Sequence, residues 1–195
     1  NGRSGYVGGI TSVSGIVTAD TSDLVVTPTG TFGSNAWYIQ NGTGPWNGIW
    51  VVKKDSLTGL ALNALKRGDS VTVTGSVQEQ FDVTRIFDSL VTIHASGRPL
   101  PAPVTLTTNT LSEPYESMLV RFVKTSVIDT GVTFGDDFEY AVDDGSGQLI
   151  VRRDGLNNYS NIDADTVSGR QILHVTDKID TIIGVGYFSH SRWKV

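Results

Sequence analysis

The stretch from Leu65 to Gln78 constrains this chain most. Val71, Val73 and Val77 are apolar, and Thr72, Thr74 and Ser76 stand between them. That is period-two alternation, so the stretch is expected to be a strand with one buried and one wet face. Arg67, Gly68 and Asp69 form the turn that feeds it. Gly75 lies inside the run, where a glycine weakens a strand and marks a bulge or a sharp bend. A strand that bends hard can serve both walls of a small closed barrel.

The flanking segments supply further strands. Ile10 to Ala19 reads as a first strand with a glycine kink, and Leu24 to Thr27 as a short strand or loop-edge extension. Ala36 to Gln40 and Gly48 to Lys53 are two more, joined by Asn41 to Asn47, a loop of turn residues. Leu57 to Leu65 has the apolar spacing of a short helix. Asp82 to Phe87 and Leu90 to Ile93 complete the first half. Arg98 to Pro103 contains three prolines and reads as a semi-rigid spacer.

The second half repeats this order. Leu111 to Ser117 reads as a short helical turn with Ser112 as its cap. Met118 to Asp129 is a long strand, and Phe138 to Val142 with Gln148 to Arg152 is a hairpin. Ile162 to Val167 reads as a loop and Gln171 to Val175 as a short strand. Ile179 to Phe188 matches the Gly75 strand, with Gly184 and Gly186 at its bend, and Arg192 to Val195 is the last strand. The repeat aligns Trp37-Tyr38-Ile39 with Glu139-Tyr140-Ala141, and Gly48 to Val52 with Gln148 to Arg152. Five strands with a helix between the third and fourth is the OB order, a Greek-key barrel. The expected fold is therefore all-β: two tandem OB-like five-stranded Greek-key barrels with short helical turns. The first spans residues 1–97, the linker 98–103 and the second 104–195. The 22 glycines among 195 residues suit so many turns.

The pattern is similar to the OB-like modules that accompany bacterial secreted nucleases, including the YhcR type. Three stretches carry the likeness: Trp37 to Gln40 through Gly48 to Val51, Lys66 to Asp69 through Gly75 to Val77, and Leu111 to Val120. In such proteins the nuclease chemistry belongs to a separate catalytic domain. The resemblance thus implies a bacterial, extracellular or cell-surface accessory module and no enzyme.

The residues themselves offer little chemistry. There are no cysteines, which removes disulfides and thiolate catalysis. No run of 18 apolar residues exists, so no helical membrane span is expected. Net charge is −5, which argues against phosphate-driven nucleic-acid binding. Gly68-Asp69-Ser70 matches the start of a hydrolase motif, but Ser70 opens a regular strand. His94, His174 and His190 lack ligand spacing. Gly184-Val185-Gly186 precedes no helix, so no dinucleotide site is expected. Asp136-Asp137, Asp143-Asp144 and Asp163 with Asp165 could converge on Ca²⁺, although Asp144-Gly145 is a hairpin turn in its own right. Asn41-Gly42-Thr43 and Asn158-Tyr159-Ser160 match the glycosylation sequon. No catalytic residue, resident metal or cofactor is expected. A chain opening at Asn1 without Met is expected to be processed, excised or expressed as a fragment.

Two functions remain. The first is a non-catalytic secreted structural unit, self-assembling or docked in a larger surface protein. Residues 1–9 are glycine-rich and would be disordered alone, while barrel strand edges need partners. Terminal strand exchange through Tyr6, Val7, Ile10, Val13, Trp193 and Val195 would satisfy both. The second is an accessory module that binds single-stranded nucleic acid or glycan. Its contact set is Trp37, Tyr38, Trp46, Trp50, Arg85, Tyr140 and Arg152, since strands two and three of an OB barrel face the ligand and aromatic rings stack on bases or sugars. Alternation places Trp37 and Ile39 on one face and Tyr38 on the other, so at least one ring belongs to the core. Trp46, in the loop, is the best exposed contact. Lys53, Lys54, Lys66, Arg67, Arg152 and Arg153 could line a groove or merely solubilise strand ends.

Overall fold

The computed structural model describes residues 2–19, 34–54, 65–131, 139–152, 159–160 and 171–195. The expected strand at Leu24 to Thr27, the helix from Leu57 and the loop from Ile162 to Val167 lie outside them, the helix apart from Leu65. The first half contains β1 (Ile10–Ala19), β2 (Ser34–Gln40), β3 (Gly48–Lys54), β4 (Ser70–Gln80) and β5 (Val83–Ala95). They close into a barrel in the order β1-β2-β3-β5-β4. The β3–β5 pair is parallel and the rest antiparallel, as the OB order requires.

β4 does what its alternation dictates. Val71, Val73, Gly75 and Val77 are buried, and Thr72, Thr74 and Ser76 between them are half-exposed. One edge pairs with β1, from Ile10 opposite Ser76 to Ile16 opposite Ser70, and the other with β5. Thr74 pairs with Leu90 and Ser76 with Phe87, so residues 88 and 89 face the single Gly75. The bulge that the glycine announced therefore has its extra residue on the partner strand. It also explains why Asp82 to Phe87 and Leu90 to Ile93, read as two strands, are one. Val17, Trp37, Ile39, Val51, Leu65, Val71, Val73 and Ile86 form the core.

The second half contains β6 (Val104–Thr105), a 3-10 turn (Glu113–Tyr115), β7 (Leu119–Asp129), β8 (Glu139–Asp143), β9 (Gln148–Arg152), β10 (Tyr159–Ser160), β11 (Gln171–Ile172), β12 (Lys178–Val185), β13 (Tyr187–Ser189) and β14 (Arg192–Lys194). Its main sheet curls in the order β12-β7-β8-β9-β14-β13, with β6 beside β7, and β10 pairs with β11. β12 and β13 are joined at Gly186, so the two ends of this sheet are consecutive in the chain. Ser112 does not cap the 3-10 turn; its hydroxyl donates to the Thr110 carbonyl instead.

Register exposes the repeat residue by residue. Trp50 pairs with Arg85, and Ile150 with Lys194, both in parallel. Phe81 and Asp82 turn β4 into β5 with φ of 53° and 61°, and His190 and Ser191 turn β13 into β14 with φ of 51° and 59°. Both are two-residue hairpins of the left-handed type that matches strand twist. Trp37 lies opposite Val51 and Tyr140 opposite Val151. Since β3 and β9 align as expected, the counterpart of Trp37 is Tyr140. The alignment of Trp37 with Glu139 is corrected by one residue, and both rings belong to the core of their own half.

The halves dock through polar contacts and one close backbone approach. The buried Gln40 accepts at Oε1 from the Leu119 amide (2.8 Å), and the Trp46 amide donates to the Pro114 carbonyl (2.7 Å). The Thr84 amide donates to Glu116 Oε1 (3.1 Å). A Cβ on Gly48 would stand 2.4 Å from the Ser117 carbonyl oxygen and 2.7 Å from Met118 Cγ. Gly48→Ala is therefore expected to lower stability by about 1–3 kcal/mol. Thermal melting measures the loss, and faster proteolysis at 98–103 would show the halves parting.

Candidate ligand-binding face

The hairpin of β2 and β3 carries an exposed tryptophan, Trp46, in its loop. Its loop is braced at every step. The Asn41 amide donates to the Asn47 carbonyl (2.9 Å), and Gln40 Nε2 to the Gly42 carbonyl (2.7 Å). Asn47 Nδ2 reaches the carbonyls of Gly44 (2.8 Å) and Pro45 (3.3 Å). Within this frame Trp46 is 69% exposed and adopts a φ of 67°. A bulky residue in the left-handed region costs roughly 1–3 kcal/mol and persists only where its surroundings enforce it.

A second cluster lies on the outside of the same barrel. Trp50 faces away from Val51 and the core, with Tyr38 opposite it on β2 and Arg85 opposite it on β5. The Arg85 guanidinium carbon sits 4.5 Å from the centre of the Phe87 ring and 5.5 Å from that of Trp50, within cation–π range. Arg85 Nη2 donates to Gln78 Oε1 (2.9 Å), and Nη1 donates to Gln80 Oε1. Burial draws its pKa below the ordinary value, but a guanidinium stays charged at neutral pH. Trp50, Arg85, Phe87, Gln78 and Gln80 are all half-buried. The result is a fixed surface of ring faces, amides and one cation. Of these, Gln78, Gln80 and Phe87 escaped the sequence reading, although alternation along β4 and β5 assigns them to the wet face.

The remaining expected contacts are distributed differently. Trp37 is fully buried and Tyr140 nearly so, each inside its core, so neither ring offers a face to a ligand. Tyr38 is buried as well, so it too presents no open ring face. Arg152, half-buried on β9, lies opposite Glu139, and its amide donates to the Val195 carbonyl (2.8 Å).

The terminal residues are engaged within the chain. The Gly8 amide donates to the Val77 carbonyl (2.9 Å), and the Val77 amide donates to the Gly9 carbonyl (2.8 Å). The Ser4 amide bonds Glu79 Oε1 and the Gly2 amide bonds Glu113 Oε2. Ile10 is 81% exposed at the start of β1 and Tyr6 is also exposed, while Val7 is half-buried and Val13 packs on the first core. Val195 lies in the second core, and Trp193 packs against it and meets Phe188 edge to face at 5.0 Å.

The acidic and basic motifs have local partners. Asp69 Oδ2 accepts from the Lys66 amide (2.8 Å), which makes Gly68-Asp69-Ser70 a turn. Asp143 Oδ1 accepts from the amides of Gly145 and Gly147. Asp144 takes bonds from the Thr108 hydroxyl and amide and from the Ser146 amide. Burial pushes the Asp144 carboxyl up, but bonds from Ser146 and Thr108 outweigh it and hold the pKa below its ordinary value. Asp136, Asp137, Asp163 and Asp165 lie outside the described residues. Among the described residues no three His, Asp or Glu side chains converge on a metal site, and His94 and His190 bond Thr72 and Ser189. No helix among the described residues is long and apolar enough to cross a membrane.

The chain matches no protein-family model and no curated protein.

Proposed function

We propose that this chain is a non-catalytic, extracellular module that binds glycan on the outer face of its first barrel. The observation that carries the reading is Trp46, braced by the hairpin loop and the Pro114 carbonyl in a backbone conformation unfavourable to it, with its ring in solvent. An exposed ring gains nothing for folding, so its fixed placement is best accounted for by contact with a ligand. Trp50, Arg85, Gln78 and Gln80 supply the ring faces, donors and acceptors that sugar hydroxyls need. The net charge of −5 favours a neutral or weakly charged glycan over nucleic acid. The extracellular setting rests on the resemblance to secreted-nuclease modules.

Calorimetric titration against soluble bacterial and plant polysaccharides tests this. The expected result is binding that weakens roughly tenfold or more on Trp46→Ala or Arg85→Ala, a loss of about 1.4 kcal/mol or more. Absence of glycan binding, or salt-sensitive capture of oligonucleotides instead, would overturn it.

A further inference from the structure

A second turn of the first barrel also shows an aromatic ring to solvent. Phe81, in the two-residue turn from β4 to β5, is 77% exposed with a φ of 53°. Gln80 pairs with Val83 to close that turn. Such turns favour Asn, Asp or Gly, and a bulky residue in the left-handed region is rare. Asp82 fits that preference. Phe81 breaks it, as Trp46 does in its own loop.

The two turns are neighbours. β3 and β5 run parallel, with Trp50 opposite Arg85. The turns that lead into them therefore leave the same end of the barrel, with strand entries about 5 Å apart. One segment of the second half braces both. The Pro114 carbonyl holds the Trp46 amide (2.7 Å), and Glu116 Oε1 holds the Thr84 amide (3.1 Å) at the foot of the Phe81 turn. Thr84 Oγ1 donates to Glu79 Oε1 (2.7 Å) across the same hairpin. Gln80, which precedes Phe81, takes its bond from Arg85 and so joins this turn to the Trp50 face.

The repeat is an internal control. The second half forms the corresponding turns without Phe, Tyr or Trp in either. Asp144 to Gly147 stand between β8 and β9, where Trp46's loop stands between β2 and β3. His190, a residue that tolerates the left-handed region, takes a φ of 51° where Phe81 takes 53°. The turns thus fold without these rings, and neither Trp46 nor Phe81 belongs to a core.

We infer that Phe81 is a second ring of the ligand face, so that the site takes the interior of an extended neutral polysaccharide and not a single terminal sugar. The inference rests on the reading of that face as a glycan site. Each ring covers the C–H face of one sugar, and only linked sugars reach both. Rings braced in advance lose little freedom on binding.

The test is calorimetric titration of the full chain with mixed-linkage β-glucan, glucomannan and dextran, then with a graded series of oligosaccharides cut from whichever polymer binds. Phe81→Asn removes the ring and installs a residue suited to the left-handed region. Its thermal melt is expected to match the wild type. Its affinity for the polymer and the long oligosaccharides is expected to fall roughly tenfold or more, while that for the shortest binding oligosaccharide stays unchanged. Phe81→Tyr is expected to bind like the wild type. If Trp46→Ala abolishes binding and Phe81→Asn leaves polymer affinity intact, the face binds glycan without Phe81, and the inference alone falls. It also falls if the loss is equal for short and long ligands, or if Phe81→Asn melts early, which would make the ring structural. A wild type that binds none of the three polymers overturns the glycan reading and this inference together.

Discussion

Replacing Lys194 by Met is expected to cost about 3–5 kcal/mol of stability, because it takes away a cation that a buried carboxylate faces. Lys194 Nζ donates to Glu139 Oε1, and both side chains are about 1% exposed. They come from β8 and β14, the two strands on either side of β9, and meet beside the core of the second half. Taking two charges out of water is expensive, and their mutual attraction repays it only while both are present. Glu139→Leu alone is expected to be damaging for the mirror reason. The double variant Glu139→Leu with Lys194→Met is expected to recover most of the loss, since an apolar pair of similar volume needs no desolvation to be undone. Urea denaturation of the four proteins measures this as a double-mutant cycle. A Lys194→Met variant within about 1 kcal/mol of the wild type would mean that the pair is not what holds β14 to β8.

The sequence could not have revealed that pair, and the reason is physical. Lys194 sits in Arg192-Trp193-Lys194, where alternation permits either charge to be outward, and the partner lies far away in the chain. What alternation does encode is the face of a strand, and there the reading is sound: Val71, Val73 and Val77 point inward, and a bulge falls opposite Gly75. It does not encode register between distant strands, which is why the sequence aligns Trp37 one residue away from its true counterpart. Asp88 and Ser89 look like a break because polar residues in mid-strand usually are; here they are the two residues facing Gly75. The two-residue turns at Phe81-Asp82 and His190-Ser191 carry no glycine, so the usual signature of a left-handed hairpin is missing. At the candidate site, exposure of Trp46 follows from its place among turn residues. Its left-handed backbone does not, since that is imposed by Pro114 and the loop's own hydrogen bonds.

Trp37→Ala is expected to destabilise the protein by about 3–5 kcal/mol, the cost of emptying a large core site. Trp37 is fully buried against Val17, Val51, Val71 and Ile86 in the closed barrel, which can relax into the void only by distorting its pairing. Any loss of ligand binding by this variant should then follow the fraction unfolded and vanish when folded protein is measured at low temperature. Trp46 is the opposite case. Trp46→Gly removes an exposed ring and places glycine where φ is 67°, so stability is expected to hold or rise by up to about 1 kcal/mol while glycan binding falls. Melting curves and titrations on both variants separate the two tryptophans of one hairpin. A Trp46→Gly protein that melts much earlier than the wild type would mean that the ring is structural, and the fixed exposed tryptophan would lose its claim to mark a binding face.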